Sequence, residues 1–262
     1  MPRKVDVVIP VKNESEKLRF CCESVLKHIP VNNLIIVVSP SKDRTLQVAE
    51  HFGDIVFTDE NNGIGHARAL GLEKVETEFY ASIDADIIIP GNWYSVCSDS
   101  IKKERVAACQ GYDRPIGKNY VKWDQILLGE NRCTLGNTML RTDVIREVGM
   151  PTRSWLEDYF LRDRLEFRGY KWVTRFEVVS THWVTDIDMI RHYGARGGQQ
   201  RTRLSNIWKW ILSSVRAAPK NYFQYRDLNF SIFLLLARLA RCFGATQALA
   251  RHDRTYEDLF FW

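Results

Sequence analysis

Along the N-terminal part of the chain, the spacing of apolar residues switches repeatedly between that of a strand and that of a helix. Val5 to Ile9 is a short, nearly continuous apolar run that Pro10 is expected to end. Residues 16 to 29 then place Leu18, Cys21, Val25, Leu26 and Ile29 on one helical face. The unit repeats. Leu34 to Val38 reads as a strand, the segment Ser39 to Asp43 as a loop, and Thr45 to Phe52 as a helix stopped at Gly53. Ile55 to Phe57 predicts a third strand, residues 64 to 75 a third helix, and Phe79 to Ile83 a fourth strand. Such alternation means α/β: a mainly parallel sheet flanked by helices, with ligands expected beyond the carboxyl ends of the strands.

The pattern changes towards the C-terminus. Leu204, Ile207, Trp208, Ile211, Leu212 and Val215 recur at helical spacing, with Ser205, Asn206, Lys209, Ser213 and Arg216 largely opposite, which predicts an amphipathic helix. A further apolar stretch at residues 232 to 237 is expected to be cut by Arg238 and Arg241, well short of the roughly 20 residues a bilayer crossing needs. No transmembrane span is therefore expected. Two readings of these helices stay open: packing on the catalytic body, or lying in a membrane interface.

Composition and charge narrow the class. The chain has 262 residues, of which 45% are hydrophobic, 12% aromatic and 26% charged, so it builds a core and is neither disordered nor collagenous. Residues 183 to 262 hold 12 of the 37 basic groups but only 6 of the 32 acidic ones. From Met189 to Arg226 there are eight Lys or Arg and no Asp or Glu. That excess calls for an anionic partner: phosphate, nucleic acid or acidic lipid. A catalytic domain over residues 1–182 and a basic helical extension over residues 183–262 are expected, the latter for acceptor or membrane-surface contact. Six cysteines without zinc spacing, and an N-terminus whose short apolar run is broken by Asp6, point to a cytoplasmic protein or one peripheral on the cytoplasmic face of a membrane.

The loops after the strands hold the chemistry-bearing residues: Asn13 and Glu14, then Ser39, Ser41 and Asp43, then Asp84 and Asp86. Two carboxylates one residue apart at a strand end suit a hard divalent cation, although aspartates are also common in solvated turns. Here they are pressed between Ile83 and Ile87 to Ile89, where an unpaired carboxylate is costly.

These segments resemble family 2 glycosyltransferases of the glycosyltransferase A fold, the group that includes dolichyl-phosphate mannose synthases. The resemblance covers roughly residues 5 to 182. VVIPVKNESEKL is similar to the opening strand and loop, which implies that Pro10, Asn13 and Glu14 sit at the nucleotide. SPSKDRT resembles the next nucleotide loop, with Ser39 and Asp43 there, and ENNGIGHARALG resembles the segment that supplies Gly63 and Arg68. Asp84 and Asp86 match the Asp-x-Asp metal motif, with Asp84 at the ribose or the metal, and His182 matches a histidine that completes the metal site. Glu157 and Asp158 match the Glu-Asp pair on the acceptor side. The resemblance thus implies a Mn2+- or Mg2+-dependent, inverting transfer of a sugar from a UDP- or GDP-linked donor, with Asp158 as base and Glu157 orienting it or the acceptor. A hydroxyl acceptor needs that base, whereas a polyprenyl or dolichyl phosphate, already an anion, leaves Asp158 as a positioning group. Glu157 and Asp158 are also what a helix N-terminus selects on electrostatic grounds alone.

The resemblance has limits. Val38 and Ser39 stand where the family usually has acidic residues, and the Gln-x-x-Arg-Trp motif of processive synthases is absent. In RHYGARGGQQRTR, the residues Arg191, Arg196 and Arg201 are read as a mobile lid for the diphosphate or a phosphorylated acceptor, or as a solvated basic loop. Gly63 and Gly65 fit a tight loop; the spacing of a dinucleotide fingerprint fails at Arg68. Two other functions are weighed. A haloacid-dehalogenase-like phosphatase also uses an Asp-x-Asp after a strand, but its nucleophile strand lies near the start of the chain. A nucleic-acid-binding protein would use the basic stretch, but the near-neutral body carries no recognition motif, so no nucleic-acid partner is expected.

Overall fold

The computed structural model describes residues 3–127, 133–153, 156–198 and 204–250, with the side chains at 124–127, 195–198, 204 and 248–250 outside the description. The chain forms two compact units, Met1–Arg114 with Glu130–Trp183, and Pro115–Gly129 with Val184–Trp262.

The first unit opens with β1 (Val5–Val11), α1 (Ser15–His28), β2 (Val31–Val38), α2 (Thr45–Phe52), β3 (Ile55–Thr58), α3 (Ile64–Glu73) and β4 (Phe79–Ile83), the succession that the apolar pattern predicts. β5 (Ile87–Ile88), α4 (Trp93–Ile101) and β6 (Val106–Pro115) follow. After α5 (Lys118–Leu127) of the second unit come β7 (Asn137–Arg141), α6 (Thr142–Val148), α7 (Glu157–Phe167) and β8 (Lys171–His182). The strands make one sheet in the order β3-β2-β1-β4-β7-β6-β8-β5. β1 pairs in parallel with β2 and β4, and β2 with β3, whereas β7 runs antiparallel to β4 and β6, and β8 to β5. The sheet is mixed and mainly parallel at its N-terminal half, as expected.

Both faces of the sheet are covered, which is why its central strands read as unbroken apolar runs. Val5, Val7, Ile9 and Val11 pack towards Leu18, Val25, Ala49 and Trp93 of α1, α2 and α4. Val8, Ile35, Tyr80 and Leu140 join Leu72, Ile145, Leu161 and Leu165 on α3, α6 and α7. All six cysteines are buried and free. Two expectations change here. β1 does not end at Pro10: it continues to Val11, in register with Val37 and Val38 of β2. Pairing with β4 stops at Val8 with Ser82, so the N–H that proline lacks has no ladder partner to disappoint. Gly53 does stop α2, but in the extended region at φ −78°, not in a left-handed turn.

The second unit is helical: α5, α8 (Asp186–Gly198), α9 (Leu204–Tyr225) and α10 (Leu228–Ala250). Met189, Phe230 and Phe233 form its core, with Tyr120, Trp123 and Tyr193 against them. The Asp186 carboxylate accepts from the N–H of Tyr120 at 2.9 Å, capping α5, and Lys122 pairs with Asp227 at 2.8 Å. The basic stretch expected as a loop starts as a helix. Thr185 and Asp188 cap α8 reciprocally: the N–H of Asp188 donates to the Thr185 hydroxyl at 3.2 Å, and that of Thr185 to the Asp188 carboxylate at 3.0 Å. Nor is the last apolar stretch cut short. α10 runs straight through Arg238 and Arg241, which break an apolar run but not a helix, and Leu228–Gln247 has a mean hydropathy of 1.4 over 20 residues. By length and composition alone that suffices to cross a membrane. Phe230, Phe233, Ala237, Cys242 and Ala245 are nonetheless buried within the protein.

Candidate active site

The carboxyl ends of β1 and β2 are knitted together by their own loops. Asn13 takes a left-handed φ of +52°. Its N–H donates to the Ser41 hydroxyl at 3.0 Å, and its side-chain oxygen accepts from the N–H of Lys42 at 2.7 Å. One residue on, the N–H of Glu14 donates to the Thr45 hydroxyl, and that of Ser15 to Asp43, each at 3.0 Å. Some desolvation pushes the Asp43 carboxyl up, but the hydroxyl of Thr45 and the N–H of Ser15 outweigh it and hold the group at about 2. Asp43 thus braces the two loops. Pro10 and Ser39 are buried at the same strand ends, and the N–H of Ser39 donates to Val11 at 2.9 Å. Glu14 pairs with Lys17 at 3.1 Å.

At the end of β4, the N–H of Asp84 donates to the carbonyl of Gly136 at 2.9 Å. A Cβ at residue 136 would lie 2.1 Å from Asp84 Oδ2, so only glycine lets β7 approach this carboxylate. Asp86 meets His182 because β5 and β8 set Ile87 opposite His182. The N–H of Trp183 donates to the Asp86 carbonyl at 2.8 Å, and His182 Nε2 stands 3.3 Å from Asp86 Oδ2. Burial pushes Asp86 up, yet His182 and, more weakly, Lys17 hold its carboxyl below the usual range.

Arg68 joins the end of β4 to the start of α7. It lies on α3, which starts at Gly63 with a φ of +97° that an L side chain rarely adopts. The guanidinium is 3% exposed, donates to Asp84 Oδ1 at 2.5 Å, and donates through its other terminal nitrogen to Glu157. It braces Asp84. Burial pushes the Asp84 carboxyl up, with Arg68 opposing. Glu157 and Asp158 begin α7 directly after Leu156, whose φ of +59° is strained for a leucine and turns the chain into the helix. Glu157 is buried by its pairing with Arg68. Asp158 receives the N–H of Tyr159 at 2.9 Å, and burial, then the neighbouring Glu157 charge, raise its carboxyl to about 6.

The donor set can be weighed against the expected ion. Among the described residues no three His, Cys, Asp or Glu side chains converge as a metal cage. Asp86 and His182 adjoin, while Asp84 is turned to Arg68. Carboxylate oxygen suits Mn2+ or Mg2+, an adjoining imidazole favours Mn2+ of the two, and such ions are commonly held by one or two carboxylates together with substrate phosphates. The residues therefore fit an ion that arrives with a diphosphate.

Arg191 belongs to the second unit, is exposed, and stands 3.7 Å from Asp188. The side chain of Arg196, and Arg201 altogether, lie outside the described residues. One residue escaped the sequence reading. Asp59, just past β3, is 6% exposed; one carboxylate oxygen accepts from the N–H of Asn61 at 3.1 Å, and the other is buried with no hydrogen-bond partner. An acid directly after the run Ile55–Thr58 is the signal that marks it.

The family model of glycosyl transferase family 2 matches residues 6–164. The uncharacterized glycosyltransferase YibD of Escherichia coli K12 is 20% identical over 97% of this chain and 72% of its own. The uncharacterized glycosyltransferase RT0329 of Rickettsia typhi is 34% identical over 85 residues, and the match spans only 27% of that protein and 31% of this one. Among solved structures, the mannosyltransferase PcManGT of Pyrobaculum calidifontis, in complex with GDP-Man and Mn2+, is similar over 95% of this chain and 88% of its own, with a TM-score of 0.64 at 14% identity. Glucosyl-3-phosphoglycerate synthase of Mycobacterium tuberculosis, with Mg2+ and UDP, gives a TM-score of 0.57 at 20% identity, over 74% and 75% of the two chains.

Proposed function

This chain belongs to glycosyl transferase family 2, and on that footing we propose that it moves a sugar from a nucleoside diphosphate sugar to a hydroxyl or a lipid phosphate, with inversion at the anomeric carbon. Family membership sets aside the phosphatase and the nucleic-acid-binding alternatives. The observation that carries the proposal is Arg68, which ties Asp84 of the Asp-x-Asp segment to Glu157, and so brings Asp158 to the donor side.

The nucleotide lies over the ends of β1 to β4, where Pro10, Asn13, Glu14 and Ser39 frame it. Asp59, with its unpartnered oxygen, takes an N–H of the base in place of the acid that Val38 and Ser39 do not supply. Asp84, aimed by Arg68, meets the ribose. Asp86 and His182 would hold Mn2+ or Mg2+, which when bound neutralises the diphosphate leaving group. Asp158 then accepts the proton of the acceptor hydroxyl as the acceptor oxygen bonds to the anomeric carbon and the bond to the diphosphate breaks, releasing a nucleoside diphosphate. A carboxyl at about 6 is mostly ionised at neutral pH yet more basic than an ordinary aspartate, which is the balance a general base needs. For a lipid-phosphate acceptor no proton moves, and Asp158 positions the acceptor. Transfer is single-step in the sense that no side chain becomes glycosylated.

Calorimetric titration of UDP and GDP, with and without Mn2+, tests the donor site. Binding that needs both Mn2+ and Asp86, and is lost in Asp86→Ala, is expected for one nucleotide or both. Failure of both nucleotides to bind the folded protein with Mn2+ present would sink the assignment.

A further inference from the structure

α9 carries more apolar surface than its packing uses. One face is spent inside the second unit: Ile207 meets Cys242 and Ala245 of α10, with Trp210 and Ile211 against them. The expected amphipathic face is thus split, because Trp208, Leu212 and Val215 lie beside this contact and not in it. At about 100° per residue, Trp208, Leu212, Val215, Tyr222 and Phe223 fall within one arc of about 100°. They are 60, 53, 55, 45 and 74% exposed. Isolated exposed apolar residues need no explanation, but a stripe of about four turns, with three aromatics and Pro219 on the same arc between Val215 and Tyr222, does.

The charge beside the stripe says what covers it. Lys209, Arg216 and Lys220 are exposed along one border of that arc, and no acidic residue occurs from Met189 to Arg226. An apolar, aromatic strip edged by lysine and arginine is the composition of a helix lying in a bilayer interface, where the apolar side enters the headgroup boundary and the basic side meets anionic phosphates. A protein partner of the same fit would have to pair three cations with its own acids. A second copy of this segment would instead bring like charges together. α10 adds Ile232, Leu236 and Phe243, exposed by 45, 46 and 65%. It contributes apolar area without having to cross, since its opposite side is already buried within the unit.

We propose that the exposed stripe of α9, bordered by Lys209, Arg216 and Lys220, seats this protein on an anionic lipid surface. None of these residues belongs to the site assigned above, so the proposal stands or falls independently of the reaction.

Flotation of the full chain with vesicles of phosphatidylglycerol in phosphatidylcholine, against phosphatidylcholine alone, tests it at low and high salt. Flotation with the anionic vesicles is expected, weakened by salt. Each of Lys209→Gln and Arg216→Gln lowers the apparent partition about fivefold, and Leu212→Glu with Val215→Glu abolishes it while thermal unfolding and UDP or GDP binding persist. Should that pair misfold, Leu212→Gln with Val215→Thr serves, with at least about a tenfold loss expected from the apolar area removed. Absence of wild-type flotation at low salt would overturn the proposal, as would flotation indifferent to the α9 variants. So would a vesicle-free change of oligomeric state in those variants without loss of flotation, which would assign the stripe to contacts between copies.

Discussion

Asp6 and Asp158 are both carboxylates of the first unit withdrawn from water, and the protein treats them in opposite ways. Asp6, on β1, is fully buried and receives four donors: the N–H groups of Asn33 at 3.0 Å, Glu76 at 2.6 Å and Thr77 at 3.0 Å, and the side-chain amide of Asn32 at 2.9 Å. Burial pushes it up, but those donors win and its carboxyl ends below the usual range. Asp158, at the opening of α7, has the N–H of Tyr159 and the unfriendly charge of Glu157, and rises to about 6. A saturated carboxylate stabilises the fold. An under-satisfied one costs stability and keeps its basicity for chemistry.

The largest expected effect breaks that comparison at Asp158. Asp158→Asn should lower turnover on a hydroxyl acceptor about a hundredfold to ten-thousandfold and remove the limb on which activity rises through about pH 6. Stability should move the other way. A carboxyl raised from 3.8 to about 6 prefers the protonated form in the fold. Its favourable contribution is complete below the unfolded value and is lost as pH rises through the folded one. The asparagine variant should therefore be more stable by about 1–3 kcal/mol above about pH 7, and no different in acid, by urea unfolding across pH. Loss of both activity and stability would make Asp158 structural. A turnover change under about tenfold would show an acceptor that arrives already ionised.

Arg68 tests the link between Asp84 and Glu157. Arg68→Gln leaves the buried Glu157 and the part-exposed Asp84 without their shared cation and should cost about 3 kcal/mol in urea unfolding at neutral pH, the water reaching Asp84 holding the loss to the low end for a buried pair. The loss should shrink in acid, where the carboxylates protonate. Arg68→Lys should recover only part, since a point charge cannot serve both carboxylates from one planar fork. Full recovery would mean that charge alone is needed there.

The succession from β1 to β4 was legible because strands covered on both faces read as continuous apolar runs between helix periods. β6 and β7 were not, because their buried positions mix polar residues with apolar and small ones. Trp93 donates through Nε1 to Asn137, which donates to Asp113 at 2.6 Å, and Gln110 is fully buried on β6. Hydrogen-bonded polar residues set among the apolar ones blur the period that a strand would otherwise show. In the candidate site, Asp84, Asp86, Glu157 and Asp158 stood out by spacing and resemblance. The partners of Arg68 did not, since nothing in the spacing of residues 68, 84 and 157 says that one guanidinium joins the other two. The helical start of the basic stretch was signalled by Thr185 and Asp188, but the glycines after it spoke for a loop.

Asp6 gives the counter-test to Asp158. In Asp6→Asn an amide nitrogen faces two of the former donors, so stability at neutral pH should fall by about 2–3 kcal/mol. The deficit should narrow as pH falls below the ordinary 3.8, because the stabilisation from a depressed carboxyl is present above its unfolded value and lost as pH drops through the folded one. Turnover per folded molecule should not change. A loss of turnover without loss of stability would overturn the division between the two carboxylates.

Asp59 lies between these extremes and gives the smallest and sharpest effect. One oxygen is satisfied by Asn61 as Asp6 is by its donors, and the other is left without a partner, as a group reserved for a ligand would be. Asp59→Asn keeps the acceptor for Asn61 and replaces only the unpartnered oxygen by a donor, so unfolding in the absence of nucleotide should be no easier than in the wild type, a neutral amide being cheaper to bury than a carboxylate with one oxygen unpartnered. Nucleotide affinity should fall about tenfold, the equivalent of about 1.4 kcal/mol, because an amide N–H then opposes the N–H of the base. Thermal unfolding with saturating UDP or GDP reads the two together, since a ligand stabilises by its affinity for the folded state alone. An undiminished nucleotide shift in a destabilised variant would place Asp59 with Asp6 among the residues that hold the fold. A diminished shift without loss of intrinsic stability would place it with Asp158, and the nucleotide that loses more would be the one whose base it reads.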